Sequence, residues 1–168
     1  MNITSTAALV LTALLATSAA SAETLNFEAL AAGPHNSPLS LPQASISGNG
    51  DILYLNEFFV GEGGSVCAAF TTPSSTSCTG DLDITFTAAV NDVAFSTAGF
   101  DDGDKVEISV FAGTELLNSR SIQSNGRVDF TAFAGVTRIV INDQSSGDDS
   151  GAGYAYGQFS FSALPSVP

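Results

Sequence analysis

The stretch "LDITFTAAVNDVAFSTAGF", residues 82–100, shows the pattern on which the fold depends. Leu82, Ile84 and Phe86 alternate with polar residues, and Val93 and Phe95 continue the pattern after "AAVND". A period of two with one polar face is typical of antiparallel strands that have one face in the core and the other in solvent. Turn-forming residues in "AAVND" predict a break between two strands.

The same alternation continues on both sides of this stretch. It recurs in "KVEISVFAG" (105–113), "RVDFTAF" (127–133), "VTRIVIND" (136–143) and "YAYGQFSFS" (154–162). Between these segments, "FAGTE" suits a tight hairpin, and the Asn-Gly pair of "QSNGR" suits a type I′ turn. Turn signals about every 8–12 residues, without a sustained helical period, predict an all-β fold.

The expected fold is a two-sheet antiparallel β-sandwich of jelly-roll or Greek-key type, with roughly eight to ten strands. Its core is built mainly from phenylalanine and β-branched residues that share the inward face of each strand. The predicted core residues are Phe86, Phe95, Val106, Ile108, Val110, Val128, Phe130, Ile139, Ile141, Phe159 and Phe161.

The N-terminal residues 1–22 have the pattern of a secretory signal peptide. An apolar run from Ala7 to Ala16 is followed by small residues that end in Ala20-Ser21-Ala22. The run is shorter than the roughly 20 residues of a membrane span, and the A-x-A pattern predicts cleavage after Ala22. We therefore expect one domain over 23–168, located outside the cell, at its surface or in the periplasm. Within this domain, the Pro-, Ser- and Gly-rich residues 31–50 predict a long surface loop.

The two cysteines, Cys67 and Cys78, allow one intramolecular disulfide. In an oxidising compartment, closing so short a loop stabilises the fold by about 2–3 kcal/mol in the chain-entropy model. The alternative is a pair of free buried thiols. Zinc is disfavoured, because a structural site needs four ligands and His35 is the only histidine.

The charge balance excludes several classes of partner. Four Lys and Arg residues against seventeen Asp and Glu residues give a net charge of −13. Such a surface repels phosphates, anionic lipids and acidic polysaccharides, so we expect neither a nucleic-acid partner nor membrane insertion. The acidic excess suits cations or neutral ligands, and it also suits simple solubility.

Catalysis has little support in the sequence. A nucleophilic triad would have to use His35, in the Pro-flanked loop "GPHNSP", and no G-x-S-x-G motif follows a strand. A pair of carboxylates for glycoside hydrolysis stays open, since seventeen acidic residues always allow one. The sequence therefore predicts a non-catalytic protein.

Two sets of residues are candidates for ligand binding. Asp101, Asp102 and Asp104 in "GFDDGDK", and the acids of "NDQSSGDDSG", could supply oxygen ligands to calcium. They match no EF-hand loop and also suit solvated turns. In the last strand, alternation places Tyr154, Tyr156 and Gln158 together on the solvent face, where tyrosines could stack on a neutral glycan. The alternative is a cross-strand tyrosine contact.

The order of "LNFEAL", the 82–122 region, "FTAFAGVTRIVINDQ" and "GYAYGQFSFSALPSVP" resembles secreted bacterial jelly-roll domains of the PEP-CTERM or VPLPA-CTERM sorting class. The resemblance implies a secreted jelly roll and adds Glu28 to the candidate calcium ligands. The sequence departs from that class in two places. It ends at "ALPSVP", without the apolar helix and basic tail, and Gly157-Gln158 stand where related closing strands often carry acids.

The resulting prediction is a secreted binding or matrix-associated module for a neutral carbohydrate or another surface component, with calcium as a candidate stabilising ion. A purely structural biofilm or surface-layer protein is the first alternative. A glycan-active hydrolase is the second.

Overall fold

The computed structural model describes residues 21–27, 29–55, 64–72, 75–145 and 153–164. This part of the chain contains strands and no helix. The strands are β1 (Ala22–Thr24), β2 (Gly33–His35), β3 (Leu39–Ser40), β4 (Ala44–Gly48), β5 (Asp51–Leu55), β6 (Ser65–Thr72), β7 (Ser75–Ser77), β8 (Leu82–Ala98), β9 (Val106–Ala112), β10 (Glu115–Ile122), β11 (Gly126–Phe130), β12 (Val136–Asp143) and β13 (Ala155–Ala163).

The strands form two antiparallel sheets that share the long strand β8. Sheet 1 has the order β3-β4-β8-β12-β9-β10 and uses the first half of β8. Sheet 2 has the order β11-β8-β13-β6-β5-β2 and uses the second half, with β1 beside β13 and β7 beside β6. Later strands are inserted between earlier ones, β12 between β8 and β9 and β13 between β8 and β6. The predicted β-sandwich with Greek-key-type connections is therefore confirmed.

Strand β8 passes from one sheet to the other without a break, so the predicted turn at "AAVND" is wrong. Asp92 instead adopts a left-handed backbone conformation, with φ of 54°. Before it, the buried large hydrophobic residues are even-numbered, such as Ile84 and Phe86, and after it they are odd-numbered, Val93 and Phe95. The residues that looked like turn formers serve as a β-bulge that turns the strand and resets its inward face.

Strand β13 contains a second bulge, opposite the first. Between Gly157↔Ser96 and Ser160↔Ala94, β13 has one extra residue, and between Ser160↔Ala94 and Ser162↔Asn91 the extra residue is in β8. Gln158, with φ of 52°, lies in the first interval, and Asp92 lies in the second. The two bulges offset each other, so the pairing of the strands resumes its register beyond them.

The core lies between the two sheets and contains every residue predicted for it. Phe86 of sheet 1 meets Phe161 of sheet 2 with ring centroids 5.2 Å apart. Phe95 stacks on Phe159 at 4.9 Å and lies edge-on to Tyr156 at 6.2 Å. Burying aromatic rings of this size supplies a large share of the apolar area removed from water.

The segment 31–50 differs from the long surface loop that we expected. It contains β2, β3 and β4, and β4 pairs with β8 along its whole length. Ala44 and Ile46 are buried, whereas Ser45 and Ser47, which alternate with them, are not. This short alternation is surrounded by Pro, Ser and Gly, so the composition of the segment hid its period.

Two predicted turns have different outcomes. The hairpin at "FAGTE" is confirmed, because Glu115 pairs with Ala112 where β9 turns into β10. The Asn-Gly pair of "QSNGR" does not close a hairpin, since β11 pairs with β8. Asn125 instead accepts a hydrogen bond from the backbone N–H of Phe100, at 2.8 Å through its side-chain oxygen. The turn thereby ties two distant loops together.

Candidate functional site

The tyrosines predicted to face solvent are in the core. Tyr154 is 1% exposed and Tyr156 is fully buried. Tyr154 stacks on Phe100 with ring centroids 4.7 Å apart. Because the extra residue Gln158 reverses the alternation, both tyrosines share the inward face with Phe159 and Phe161. The predicted glycan surface of Tyr154, Tyr156 and Gln158 is therefore wrong.

Gln158 itself takes part in the fold. Its side-chain oxygen accepts a hydrogen bond from the hydroxyl of Ser96 at 2.9 Å. This bond links the bulge in β13 to the neighbouring strand β8. It gives the bulge a stabilising contact that partly offsets the strain of a left-handed glutamine.

The hydroxyl group of Tyr156 has no hydrogen-bond partner in the described part of the chain, and the hydroxyl group of Tyr154 lies near Ser145 and Asp143. Burial raises the pKa of both phenols above their ordinary value of 10.0, and the neighbouring carboxylates of Asp143 and Asp104 raise it further. Both side chains are consequently neutral and enclosed, and neither is presented to a ligand.

The acids predicted to bind calcium form a turn before β9. The backbone N–H of Asp101 donates to the Asp104 carboxylate at 2.9 Å, and the N–H of Asp104 donates to the carbonyl of Asp101 at 3.2 Å. Asp101 and Asp102 are exposed, and Asp104 is buried. Within the described ranges, no group of three or more His, Cys, Asp or Glu side chains is placed to hold a metal ion.

Asp143, the first acid of the second candidate loop, ends β12, and its carboxylate accepts a hydrogen bond from the N–H of Ser145 at 2.8 Å. The other candidate calcium ligands, Glu28, Asp148 and Asp149, lie outside the described residues. Calcium binding therefore stays a prediction.

The predicted disulfide is confirmed between Cys67 and Cys78, whose Cα atoms are 5.3 Å apart. Both cysteines are buried. The carbonyl of Cys78 accepts a hydrogen bond from the N–H of Tyr154 at 3.0 Å, and a Cβ on Gly153 would clash with that carbonyl. The disulfide thus fixes the entry to β13, and it is typical of proteins from oxidising compartments.

A polar depression of about 290 Å³ lies at one end of sheet 1, where β4, β8 and β12 are neighbours. Three short stretches of chain form it: the end of β4 with its following turn, the start of β8, and the end of β12. Its lining residues are Ser47, Gly48, Asn49, Asp81, Leu82, Asp83, Val140 and Asn142.

Hydrogen bonds fix the two carboxylates of this depression. Asp81 accepts the backbone N–H of Asp143 at 2.8 Å. Asp83 accepts from Arg138, whose Nε lies 2.9 Å from both carboxylate oxygens and whose second nitrogen makes the closest contact of the ion pair. The hydrogen bond to Asp83 raises the pKa of Arg138. The Arg138 guanidinium also lies 5.7 Å from the ring centroid of Phe111, so its position is held on two sides.

The side chain of Asn49 packs against Gly80, at a position that only glycine can occupy. A Cβ on Gly80 would come within 2.5 Å of the side-chain oxygen of Asn49, and Gly80 has a φ of +125°, a conformation that suits glycine alone. The amide of Asn49 is therefore packed closely on the backbone before β8. Asn142 completes the polar rim from β12.

The depression combines hydrogen-bond donors and acceptors around a partly apolar surface. Asn49, Asn142 and Ser47 can donate and accept, and the oxygens of Asp81 and Asp83 accept. Leu82 and Val140 contribute the apolar part of the lining. Such a mixture suits a neutral ligand with many hydroxyl groups, whereas the Asp81 carboxylate opposes an anion.

Sequence reasoning missed this depression because its residues come from three separate stretches, 47–49, 81–83 and 140–142. No motif spans these distances along the chain. Each residue looked like an ordinary polar residue of a strand or turn. Only the sheet order β4-β8-β12 brings the three stretches together.

Comparison with known proteins gives a partial likeness. No family model and no curated protein matches the chain. A solved structure, a family two carbohydrate esterase from Cellvibrio japonicus, is similar over 72% of this chain and 34% of its own, with 13% identity and a TM-score of 0.38. The chain thus spans about a third of that protein. Among the described residues, no helix is long and apolar enough to cross a membrane.

Proposed function

We propose that this protein is a secreted, non-catalytic β-sandwich module that binds a neutral carbohydrate at the depression between β4, β8 and β12. The observation that supports the proposal most strongly is the set of fixed polar side chains around it. Asp81 and Asp83 are held by hydrogen bonds, and Asn49 is packed on Gly80. Side chains that are already positioned lose little entropy when a ligand binds.

The charge of the site supports a neutral ligand. Asp81 and Asp83 accept hydrogen bonds well from hydroxyl groups. Because Arg138 balances the charge of Asp83, Asp81 is the carboxylate that repels uronates, sulfates and phosphates. Arg138 is occupied by Asp83 and by the ring of Phe111. The net charge of −13 adds a long-range repulsion of acidic polysaccharides.

Export is supported by the signal-peptide pattern of residues 1–22, by the resemblance to the PEP-CTERM class and by the closed disulfide. A non-catalytic role is supported by the surroundings of His35. It ends strand β2, where its Nε2 donates a hydrogen bond to the carbonyl of Ala31 at 2.8 Å, so this nitrogen is already engaged with the backbone.

One observation favours a glycan-active hydrolase as the second candidate, because two carboxylates, Asp81 and Asp83, line the same depression. Glycoside hydrolysis needs one protonated carboxyl as the general acid. Both carboxylates here already accept hydrogen bonds from N–H donors of the protein. This arrangement suits two acceptors better than an acid and a base.

The direct test is a glycan array probed with the exported protein. The array carries neutral β-1,4-linked oligomers of glucose, mannose and xylose, with uronate oligomers as anionic controls. We expect retention on a neutral oligomer and none on the uronates. Asn49→Ala combined with Asn142→Ala should abolish retention while the variant still shows a cooperative melting transition. The control Gln43→Ala, at the opposite end of sheet 1, should bind like the wild type.

The alternatives predict different results. A hydrolase would release reducing sugars from the bound oligomer, and Asp81→Asn would stop the release while leaving binding in place. A purely structural protein would bind no oligomer, and its self-association in sedimentation experiments would survive the asparagine substitutions. Absence of binding to every neutral oligomer would refute the proposed function.

A further inference from the structure

Five strand ends lie side by side at the end of sheet 1 that carries the depression. In the order of the sheet, they are the end of β4, the start of β8, the end of β12, the start of β9 and the end of β10. At about 4.8 Å for each neighbouring pair, the row is roughly 19 Å wide. The depression already described occupies only the first three strand ends.

A second depression, of about 300 Å³, occupies the remaining part of the row. It is formed by the turn before β9, the residue after β10 and the residue after β12. Its side chains are polar and comprise two amides, three carboxylates and one ammonium group. The lining residues are Asp101, Asp102, Asp104, Lys105, Gln123 and Gln144, with Gly103.

The end of β12 lies between the two depressions and belongs to both. Asn142 lines the first, and Gln144, two residues later, lines the second. The centres of neighbouring strands are about 4.7–4.9 Å apart. The two depressions therefore adjoin at the end of β12, and a ligand that lies along the row would contact both.

Hydrogen bonds join the loops of the row into one unit. The N–H of Asp143 donates to Asp81 at 2.8 Å, which links β12 to β8. The N–H of Gln144 donates to the carbonyl of Lys105 at 2.8 Å, and the N–H of Lys105 donates to the hydroxyl of Ser145 at 3.1 Å, which link β12 to β9. The floor of the row is thus held across three strands.

We infer that the two depressions are subsites of one groove, and that the ligand is a linear neutral oligosaccharide lying across the strand ends. The inference rests on the proposed function. The amides of Gln123 and Gln144 offer donors and acceptors to the hydroxyls of further sugar units, as Asn49 and Asn142 do in the first subsite. The carboxylates of Asp101 and Asp102 extend the exclusion of acidic sugars along the groove.

The inference is tested by the dependence of affinity on ligand length. The probes are the neutral β-1,4-linked oligomers of glucose, mannose and xylose with one to six units, measured by titration calorimetry against the exported protein. We expect the best-bound series to gain at least about tenfold in affinity between one and four units, or about 1.4 kcal/mol. Gln123→Ala combined with Gln144→Ala should remove this gain and leave the affinity for the shortest bound oligomer unchanged.

The other outcomes separate this inference from the proposed function. If affinity does not depend on length, or if the double glutamine variant keeps the gain, the second depression is not a subsite and the inference is overturned. If no neutral oligomer of any length binds, the proposed function fails as well. Gln43→Ala is the matched glutamine control, and the melting temperature of each variant confirms that it is folded.

Discussion

Strands β9 and β13 have nearly the same alternating sequence pattern and present different faces to the core. In β9, Val106, Ile108 and Val110 are buried in the core and Glu107 is exposed, as a period of two requires, while Ser109 on the outer face is covered by its contact with Ser119. In β13, the same rule places Tyr156 in solvent, and the structure buries it. The difference is one residue, Gln158, whose left-handed backbone adds a position to the strand.

The comparison shows that the alternation of apolar and polar residues predicts which side chains are buried only along a stretch of strand without a bulge. A bulge can be recognised once the partner strand is known, because its extra residue shifts the pairing of the two strands until an extra residue in the partner restores it. Here the offset is Asp92 of β8. Neither residue is a glycine, so the sequence does not indicate a left-handed conformation at either position.

The largest expected difference in stability is between two single-residue deletions, one in β9 and one in β13. Deleting Ser109 from β9 would place Val106 and Ile108 on the opposite face from Val110. Losing buried aliphatic side chains at about 2–5 kcal/mol each approaches the whole stability of a domain. We expect this variant to be unfolded by circular dichroism.

Deleting Gln158 from β13 should have a much smaller effect. Without it, Tyr156 and Phe159 alternate regularly and both face inward. The lost hydrogen bond to Ser96 and the relieved strain act in opposite directions, so the free energy of unfolding should stay within about 2 kcal/mol of wild type. Equal loss of structure in the two deletion variants would contradict the role given to the bulge.

The next largest effect is expected for Tyr156→Ala. Truncating a fully buried aromatic ring lowers the free energy of unfolding by about 3–5 kcal/mol. Glu107→Ala is the control, because alternation gives both residues a solvent-facing position, and it should change stability by less than about 0.5 kcal/mol. Urea titration measures both values. A Tyr156→Ala variant as stable as the control would restore the solvent-facing interpretation.

The disulfide provides a third test, because it holds the entry to the bulged strand and has no counterpart at β9. Replacing Cys67 and Cys78 with alanine should lower the free energy of unfolding by about 3 kcal/mol, by loop-closure entropy. Hydrogen exchange at the N–H of Tyr154, which bonds the Cys78 carbonyl, should accelerate more than exchange in β9. Uniform acceleration across both strands would indicate only a global loss of stability.

The buried tyrosines predict a dependence on alkaline pH. Because folding raises the pKa of Tyr154 and Tyr156 above 10.0, the unfolded chain loses these protons first. The stability that depends on the two neutral tyrosines is fully present below pH 10. Above pH 10, the free energy of unfolding falls by at most about 1.4 kcal/mol per pH unit for each tyrosine. Tyr154→Phe combined with Tyr156→Phe should flatten the decline of stability between pH 10 and 11. An unchanged slope would show that other groups cause it.

The smallest expected effect is the difference in stability between a glycine and a valine variant, compared at one position in β13 and one in β9. At Gln158, glycine tolerates the left-handed conformation and valine does not, so the glycine variant should be more stable by roughly 2 kcal/mol. At Glu107, in regular β9, valine should be more stable than glycine by about 1 kcal/mol. Thermal melts of the four variants measure the two differences. The same order at both positions would mean that Gln158 lies in a regular strand.

Several features followed from the sequence by itself. The period of two identified the sandwich and all of the predicted core residues, because alternate side chains of a strand must point to opposite faces. Cys67 and Cys78 had only one intramolecular pairing. The charge of −13 predicted, without any geometry, that anionic partners are disfavoured.

The tertiary structure decided where the chain departs from that period and which polar residues meet. The bulges at Asp92 and Gln158 depend on the register between two strands, and register is a property of the pair. The groove joins residues near 48, 82, 104, 123 and 143, which become neighbours only through the order of the strands in sheet 1. Local periodicity therefore determined the core, whereas strand order and strand register determined the candidate site.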